Sequence, residues 1–111
     1  MKTILVIVLI LFIGGIQSLG QGIEFLKGDY NAALEKAKQE GKMLFVDFYA
    51  DWCGPCKRMA KDVFTLAVVG NYFNEKFVSV QINAEDPVNR VVVKQNKVRS
   101  YPANFFCLII D

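Results

Sequence analysis

Two cysteines three positions apart, in Cys53-Gly54-Pro55-Cys56, constrain this chain more than any other feature. A strand-like apolar run, Met43 to Tyr49, comes just before them, and a helix-compatible run, Lys57 to Val63, comes just after. A Cys-x-x-Cys pair at a strand-to-helix junction points to redox chemistry. With Cys53 as the helix cap and Cys56 one turn in, both sulfurs fall on one face, at a separation that suits a disulfide. The helix N-terminus supplies free backbone N–H groups and a positive dipole end. Both favour a thiolate at Cys53, and the thiolate is the nucleophile. Pro55 fits the first turn, where its missing N–H costs nothing, and Lys57 adds a positive charge. A zinc site needs about four ligands, and three Cys with no His cannot close one within a single chain. A c-type haem attachment needs His where Lys57 stands. A purely structural disulfide stays open, although so short a loop constrains the unfolded chain little. The expected redox group is therefore the Cys53–Cys56 dithiol itself, with no metal and no further cofactor.

A chain of 111 residues has room for one small domain. With 53% hydrophobic residues it can build a core, which argues against disorder. A net charge of +2 without basic clusters excludes an obvious nucleic-acid surface. The N-terminus is organised differently. Lys2 precedes an apolar run from Ile4 to Ile13, and Gly14, Gly15, Gln17 and Ser18 break it. Ser18-Leu19-Gly20 places small residues where a signal peptidase reads. This is the pattern of a secretory signal peptide over residues 1–20, leaving a domain over 21–111. The expected location is periplasmic or secreted, where disulfides persist. An uncleaved membrane anchor is the alternative, though the apolar run is short for a span of about 20 residues.

In the rest of the chain, Gly22 to Lys27 suggests an edge strand. Asp29 is a candidate cap for a helix with Tyr30, Ala33, Leu34 and Ala37 on one face, ended by Gly41. Met43 to Tyr49 is a central strand interrupted by Asp47, a carboxylate that is costly to bury unless paired or protonated. Asp47 either reaches solvent at a strand end or serves the cysteines six residues later. Thr65 could cap a helix over Leu66–Asn74 that buries Val69, Tyr72 and Phe73. Phe77 to Ile82 alternates as a strand. Asp86-Pro87 is a helix start, with Val88, Val91, Val92 and Gln95 following. Pro102 precedes a final apolar strand, Ala103–Ile110, that holds Cys107. That third cysteine suggests a buried core thiol, with an intermolecular disulfide as the alternative.

The segment Val46-Asp47-Phe48-Tyr49-Ala50-Asp51-Trp52-Cys53-Gly54-Pro55-Cys56-Lys57 resembles the active-site segment of the thioredoxin family, and the likeness runs from about Ile23 to the end. Ala60-Lys61 stands where many thioredoxins have a helix-kinking proline, a departure similar to exported members such as the C-terminal domain of DsbD-type thiol:disulfide interchange proteins. The resemblance implies an α/β thioredoxin-like fold, a central mixed sheet flanked by helices, with the family's final strand and helix missing after Asp111. It implies that Asp47 is the base for Cys56. Gln81 stands where thioredoxins often carry a Lys, which would leave Asp47 more readily protonated. Pro102 is expected to be cis and to face the cysteines, with the Tyr101 backbone free to pair with an extended substrate, and with Trp52, Gly54 and Pro55 shaping the approach. The expected function is a protein-disulfide reductase outside the cytosol. Its partners would be disulfide-containing proteins and a thiol–disulfide electron donor, which could be membrane-bound. The alternatives are an oxidase or isomerase using the same site, and a binding module whose pair no longer turns over.

Overall fold

The run Met43–Tyr49 forms β2, and its alternation decides the layers on either side of it. The computed structural model describes residues 21–108, so the expected signal peptide and residues 109–111 lie outside the described residues. The other strands are β1 (Phe25–Lys27), β3 (Phe77–Asn83) and β4 (Ala103–Cys107), in the spatial order β1-β3-β2-β4. β3 runs parallel to both β1 and β2, whereas β4 is antiparallel to β2, so the sheet is mixed. The helices are α1 (Tyr30–Glu40), α2 (Gly54–Asp62), α3 (Ala67–Lys76) and α4 (Arg90–Gln95). Among the described residues no helix is long and apolar enough to cross a membrane.

Successive strand residues point to opposite faces. Leu44, Val46 and Phe48 share one face with Val78, Val80 and Ile82, and Ala33 and Ala37 of α1 close over them. These small residues let the helix backbone approach the sheet. Asp29 fixes the start of α1 by accepting the Ala32 N–H at 2.9 Å. Gly41 ends it at φ 64°, a left-handed conformation that glycine adopts without a Cβ clash. On the opposite face Phe45 gathers the rings of Phe25, Phe64, Phe73 and Phe106, with centroids 4.9–6.2 Å away. Aromatic contacts at such spacing contribute beyond their buried area.

Three expected elements differ in detail. Thr65 does not cap α3: its hydroxyl donates to the Lys61 carbonyl, and Leu66 occupies the cap position without a side-chain bond. The helix is therefore shifted to Ala67–Lys76, and Tyr72 is 56% exposed rather than buried. Its inward face is set by Gly70, whose backbone meets Gln21 and Gly22. A Cβ at Gly70 would lie 2.2 Å from the Gln21 carbonyl oxygen. Gly70→Ala is expected to push these segments apart and cost about 1–3 kcal/mol. A lowered urea midpoint at unchanged slope would register it.

The helix expected after Asp86 is also divided. Asp86 accepts the Val88 N–H at 3.1 Å, but the turn it opens is 3₁₀, Pro87–Asn89. Asn89 donates its side-chain amide to the Asn83 carbonyl at 2.9 Å, which ties this turn to the end of β3. α4 starts afresh beyond it, so its inward residues become Val92 and Val93, while Val88 and Val91 face solvent. The last strand is described as Ala103–Cys107, and Cys107 is a free, half-buried thiol against the α1 face of the core.

Candidate active site

β2 ends at Tyr49, and the chain turns directly into α2. The Cys53 N–H closes this turn on the Ala50 carbonyl at 3.1 Å. Cys53 is the N-cap of α2, with extended backbone angles, and Pro55 lies in the first helical turn. The Cys56 N–H donates to the Cys53 sulfur at 3.1 Å. The two cysteines are joined as a disulfide with their Cα atoms 5.3 Å apart. Ala50, Cys53 and Cys56 form a small buried cluster that Tyr49 and Tyr101 cover. Cys53 is 2% exposed and Cys56 6%, whereas Gly54 and Pro55 between them are exposed. The motif thus presents its backbone to solvent and its oxidised sulfurs to a narrow approach beside Tyr101.

That approach is built by residues far apart in sequence. The Tyr101–Pro102 bond is cis. The Tyr101 ring stands edge-on to Trp52, with centroids 5.9 Å apart. Trp52 is 68% exposed, and its indole Nε1 donates to Glu85 Oε1 at 2.5 Å. Asn83 similarly donates to Asp51 Oδ2 at 3.3 Å. Glu85 and Asn83 were not among the sequence candidates. Asn83 ends β3 and Glu85 follows it, and no local motif marks them: only the β2–β3 register brings this end of β3 against the loop after β2.

Asp47 lies within the sheet, 3% exposed. Its Oδ2 accepts from Gln81 Nε2 at 3.3 Å, and its Oδ1 is buried without a hydrogen-bond partner. Burial raises the Asp47 pKa above the ordinary aspartate value, and the Gln81 hydrogen bond opposes this only partly. The loss of solvation penalises the charged form, and a neutral amide cannot replace a cation. Asp47, Gln81 and Cys56 line a common cavity of about 230 Å³, several times the volume of one water at about 30 Å³. That space can hold water between the Asp47 carboxylate and Cys56. Among the described residues, no group of three or more His, Cys, Asp or Glu is placed to hold a metal ion.

The sequence from residue 24 to residue 109 matches the family described as thioredoxin-like. Thioredoxin-1 of Drosophila melanogaster is 36% identical over 78 residues, which cover 70% of this chain and 66% of that protein. The thiol:disulfide interchange protein DsbD of Pseudomonas is 31% identical over 71 residues, 63% of this chain and 12% of that protein. A solution structure from Bacteroides thetaiotaomicron, assigned as a disulphide-isomerase, superposes with a TM-score of 0.67 at 38% identity. It matches 80% of this chain and 74% of its own. The chain thus spans about two thirds, or much less, of the length of these curated relatives. The strand–Cys-x-x-Cys–helix junction, the mixed sheet around it and these matches agree, and the chain belongs to the thioredoxin-like family.

Proposed function

We propose that this protein is a thiol–disulfide oxidoreductase that reduces disulfides of other proteins outside the cytosol. The observation that carries the reading is the helix cap: Cys53 at the N-terminus of α2, its sulfur accepting the Cys56 N–H. A thiolate at that position gains from the same N–H group and from the positive end of the helix. In the reduced protein, the Cys53 thiolate attacks one sulfur of a substrate disulfide. The substrate S–S bond breaks, the first substrate sulfur leaves as a thiolate and takes a proton, and a mixed disulfide forms. Asp47 takes the proton of Cys56 through water. The Cys56 thiolate attacks the Cys53 sulfur, the second substrate thiolate leaves, and the Cys53–Cys56 disulfide carries the two electrons' worth of oxidation. A thiol donor returns the pair to the dithiol by the reverse exchange.

The roles of the surrounding residues follow from their places. Exposed Trp52, Gly54 and Pro55 would form one side of the approach, and Tyr101, which packs on the cysteine cluster, with cis-Pro102 after it, the other. The Tyr101 backbone would pair with an extended substrate segment, a recognition mode that uses main-chain hydrogen bonds. Trp52→Ala is expected to raise KM for a protein disulfide severalfold while leaving turnover of a small disulfide nearly unchanged. Steady-state kinetics on both substrates would check this.

The direction of electron flow rests on the Gly-Pro pair, which resembles that of thioredoxins. The 38% identical structure assigned as a disulphide-isomerase supports a second reading, in which the same site oxidises or rearranges disulfides. Equilibration with glutathione buffers separates the two. A reductant keeps its disulfide even in strongly reducing buffer, with a potential near the roughly −270 mV of thioredoxin. A disulfide that persists only in strongly oxidising buffer would overturn the reductase reading. Placement outside the cytosol is supported by the pattern of residues 1–20. N-terminal sequencing of the exported protein is expected to begin close to Gln21.

A further inference from the structure

The acid–base machinery proposed above leaves Asp47 with one neutral partner and one bare oxygen. The sheet places a cation in line with it. Lys27 of β1 is registered with Gln81 of β3, and Gln81 with Asp47 of β2. Directly paired residues share a face, so the three side chains form one row. Phe25, two residues before Lys27, packs on Phe45, two residues before Asp47, which confirms the face. Two strand spacings put the Lys27 and Asp47 Cα atoms roughly 10 Å apart, a gap within the combined reach of an extended lysine and an aspartate. Gln81 lies in that gap. It donates Nε2–H to Asp47, which leaves its Oε1 as an acceptor on the other side of the amide.

The voids tell the same story. Lys27 lines the cavity that holds Asp47 and Cys56. It also lines a neighbouring cavity bounded by Gly22 and Phe64, and the two share Lys27, Ala60 and Gln81. The small side chain of Ala60 leaves this cleft open between β1 and α2. Lys27 thus borders the space beside Asp47.

We propose that Lys27 is the cation that, from across Gln81, favours the charge of Asp47 and so governs when Asp47 can take the proton of Cys56. Lys27 is a positioning residue in this scheme, since it touches neither substrate nor sulfur. The other groups around the carboxylate are Tyr49 and Asp51 at the end of β2, Cys56 and Lys57 on α2, and neutral Asn104, registered with Asp47 on β4. Asp51 is the other carboxylate lining this cavity. Lys57 is the competing cation, but it projects from an exposed helical turn outside the Lys27–Gln81–Asp47 row.

The inference rests on the oxidoreductase reading only for its consequence, so its test does not need turnover. The carboxyl carbon of Asp47 is titrated by NMR in the oxidised full chain, as wild type, Lys27→Met, Lys27→Arg and Lys57→Met. Lys27→Met is expected to raise the titration midpoint by about half a pH unit, the scale of one charge at about 6 Å in a water-like dielectric. Lys27→Arg keeps the wild-type midpoint, Lys57→Met moves it less than Lys27→Met does, and 1 M salt shrinks the Lys27→Met difference. In turnover, the acid limb of the pH–rate profile shifts with Lys27→Met, and this shift vanishes in an Asp47→Asn background. A Lys27→Met midpoint that superposes on wild type, or a larger shift in Lys57→Met, overturns the proposal. A wild-type chain without disulfide reductase activity would overturn the reductase reading instead, and the NMR midpoints would still decide the role of Lys27.

Discussion

Cys53→Ser is expected to reduce disulfide-reductase activity to the background of dithiothreitol alone, whereas Cys56→Ser is expected to arrest the protein as a covalent complex. The two outcomes differ because the helix treats the two sulfurs differently. Cys53 caps α2 and receives a backbone N–H, so its thiolate is the stabilised one. Serine at that position keeps the cap but is no nucleophile at neutral pH. Cys56 lies one turn inside and lines the cavity that holds Asp47, which Cys53 does not. Its removal leaves the first attack intact and takes away the second. A mixed disulfide between Cys53 and substrate then accumulates, and non-reducing gels would show it. Covalent trapping by Cys53→Ser with none by Cys56→Ser would invert the assignment.

Asp47→Asn carries the second large effect, and its two parts have opposite signs. The folded-state pKa of Asp47 is raised by burial, so the folded protein binds this proton more tightly than the unfolded chain does. Stability is then highest below the ordinary aspartate value of 3.8 and falls as pH rises through the window up to the raised folded value. Above that window the fold holds a charged carboxylate with one oxygen unpaired, a burden of about 1–3 kcal/mol for such a group. Asp47→Asn should remove that dependence, and the variant should be the more stable one at pH 8 and equal to wild type at pH 3. Urea titrations at both values would check it. Activity should move the other way. Loss of a positioned base costs about a hundredfold or more, and it falls on the release of the mixed disulfide. An Asp47→Asn protein as fast as wild type at neutral pH would remove Asp47 from the mechanism.

Much of this architecture is readable in the chain itself where one physical constraint acts alone. Asp29 and Gly41 bracket α1 because a side-chain cap and a left-handed glycine are local requirements. The nearly continuous apolar run Met43–Tyr49 becomes an inner strand because both of its faces must be covered. The Cys-Gly-Pro-Cys geometry follows from its place at the start of a helix. Where a second constraint competes, the local pattern misleads. Thr65 is a good cap by composition, yet its hydroxyl is drawn back to the end of α2. Tyr72 sits at helical spacing from Val69, but the contact of Gly70 with Gln21 and Gly22 turns the helix and leaves Tyr72 exposed. Asn89 breaks the helix after Asp86 by bonding to the end of β3, which moves the inward face to Val92 and Val93. The partners of the site are similarly non-local. Glu85 reaches Trp52, and Lys27 joins the Asp47 row, only through strand register, for which the sequence offers no short-range sign.

The central claim is that the fold around Cys53 and Cys56, not the motif alone, makes a working dithiol. Insulin disulfide reduction driven by dithiothreitol tests it most directly, with residues 21–111 compared with a peptide spanning Ala50 to Arg58. Helix capping at Cys53 and the Asp47 cavity are present in the folded chain and absent from the peptide. The folded chain is therefore expected to outpace the peptide by a wide margin at equal thiol concentration. Equal rates would contradict the claim: the cysteine pair would then be carried without turnover, as in a thioredoxin-like binding module.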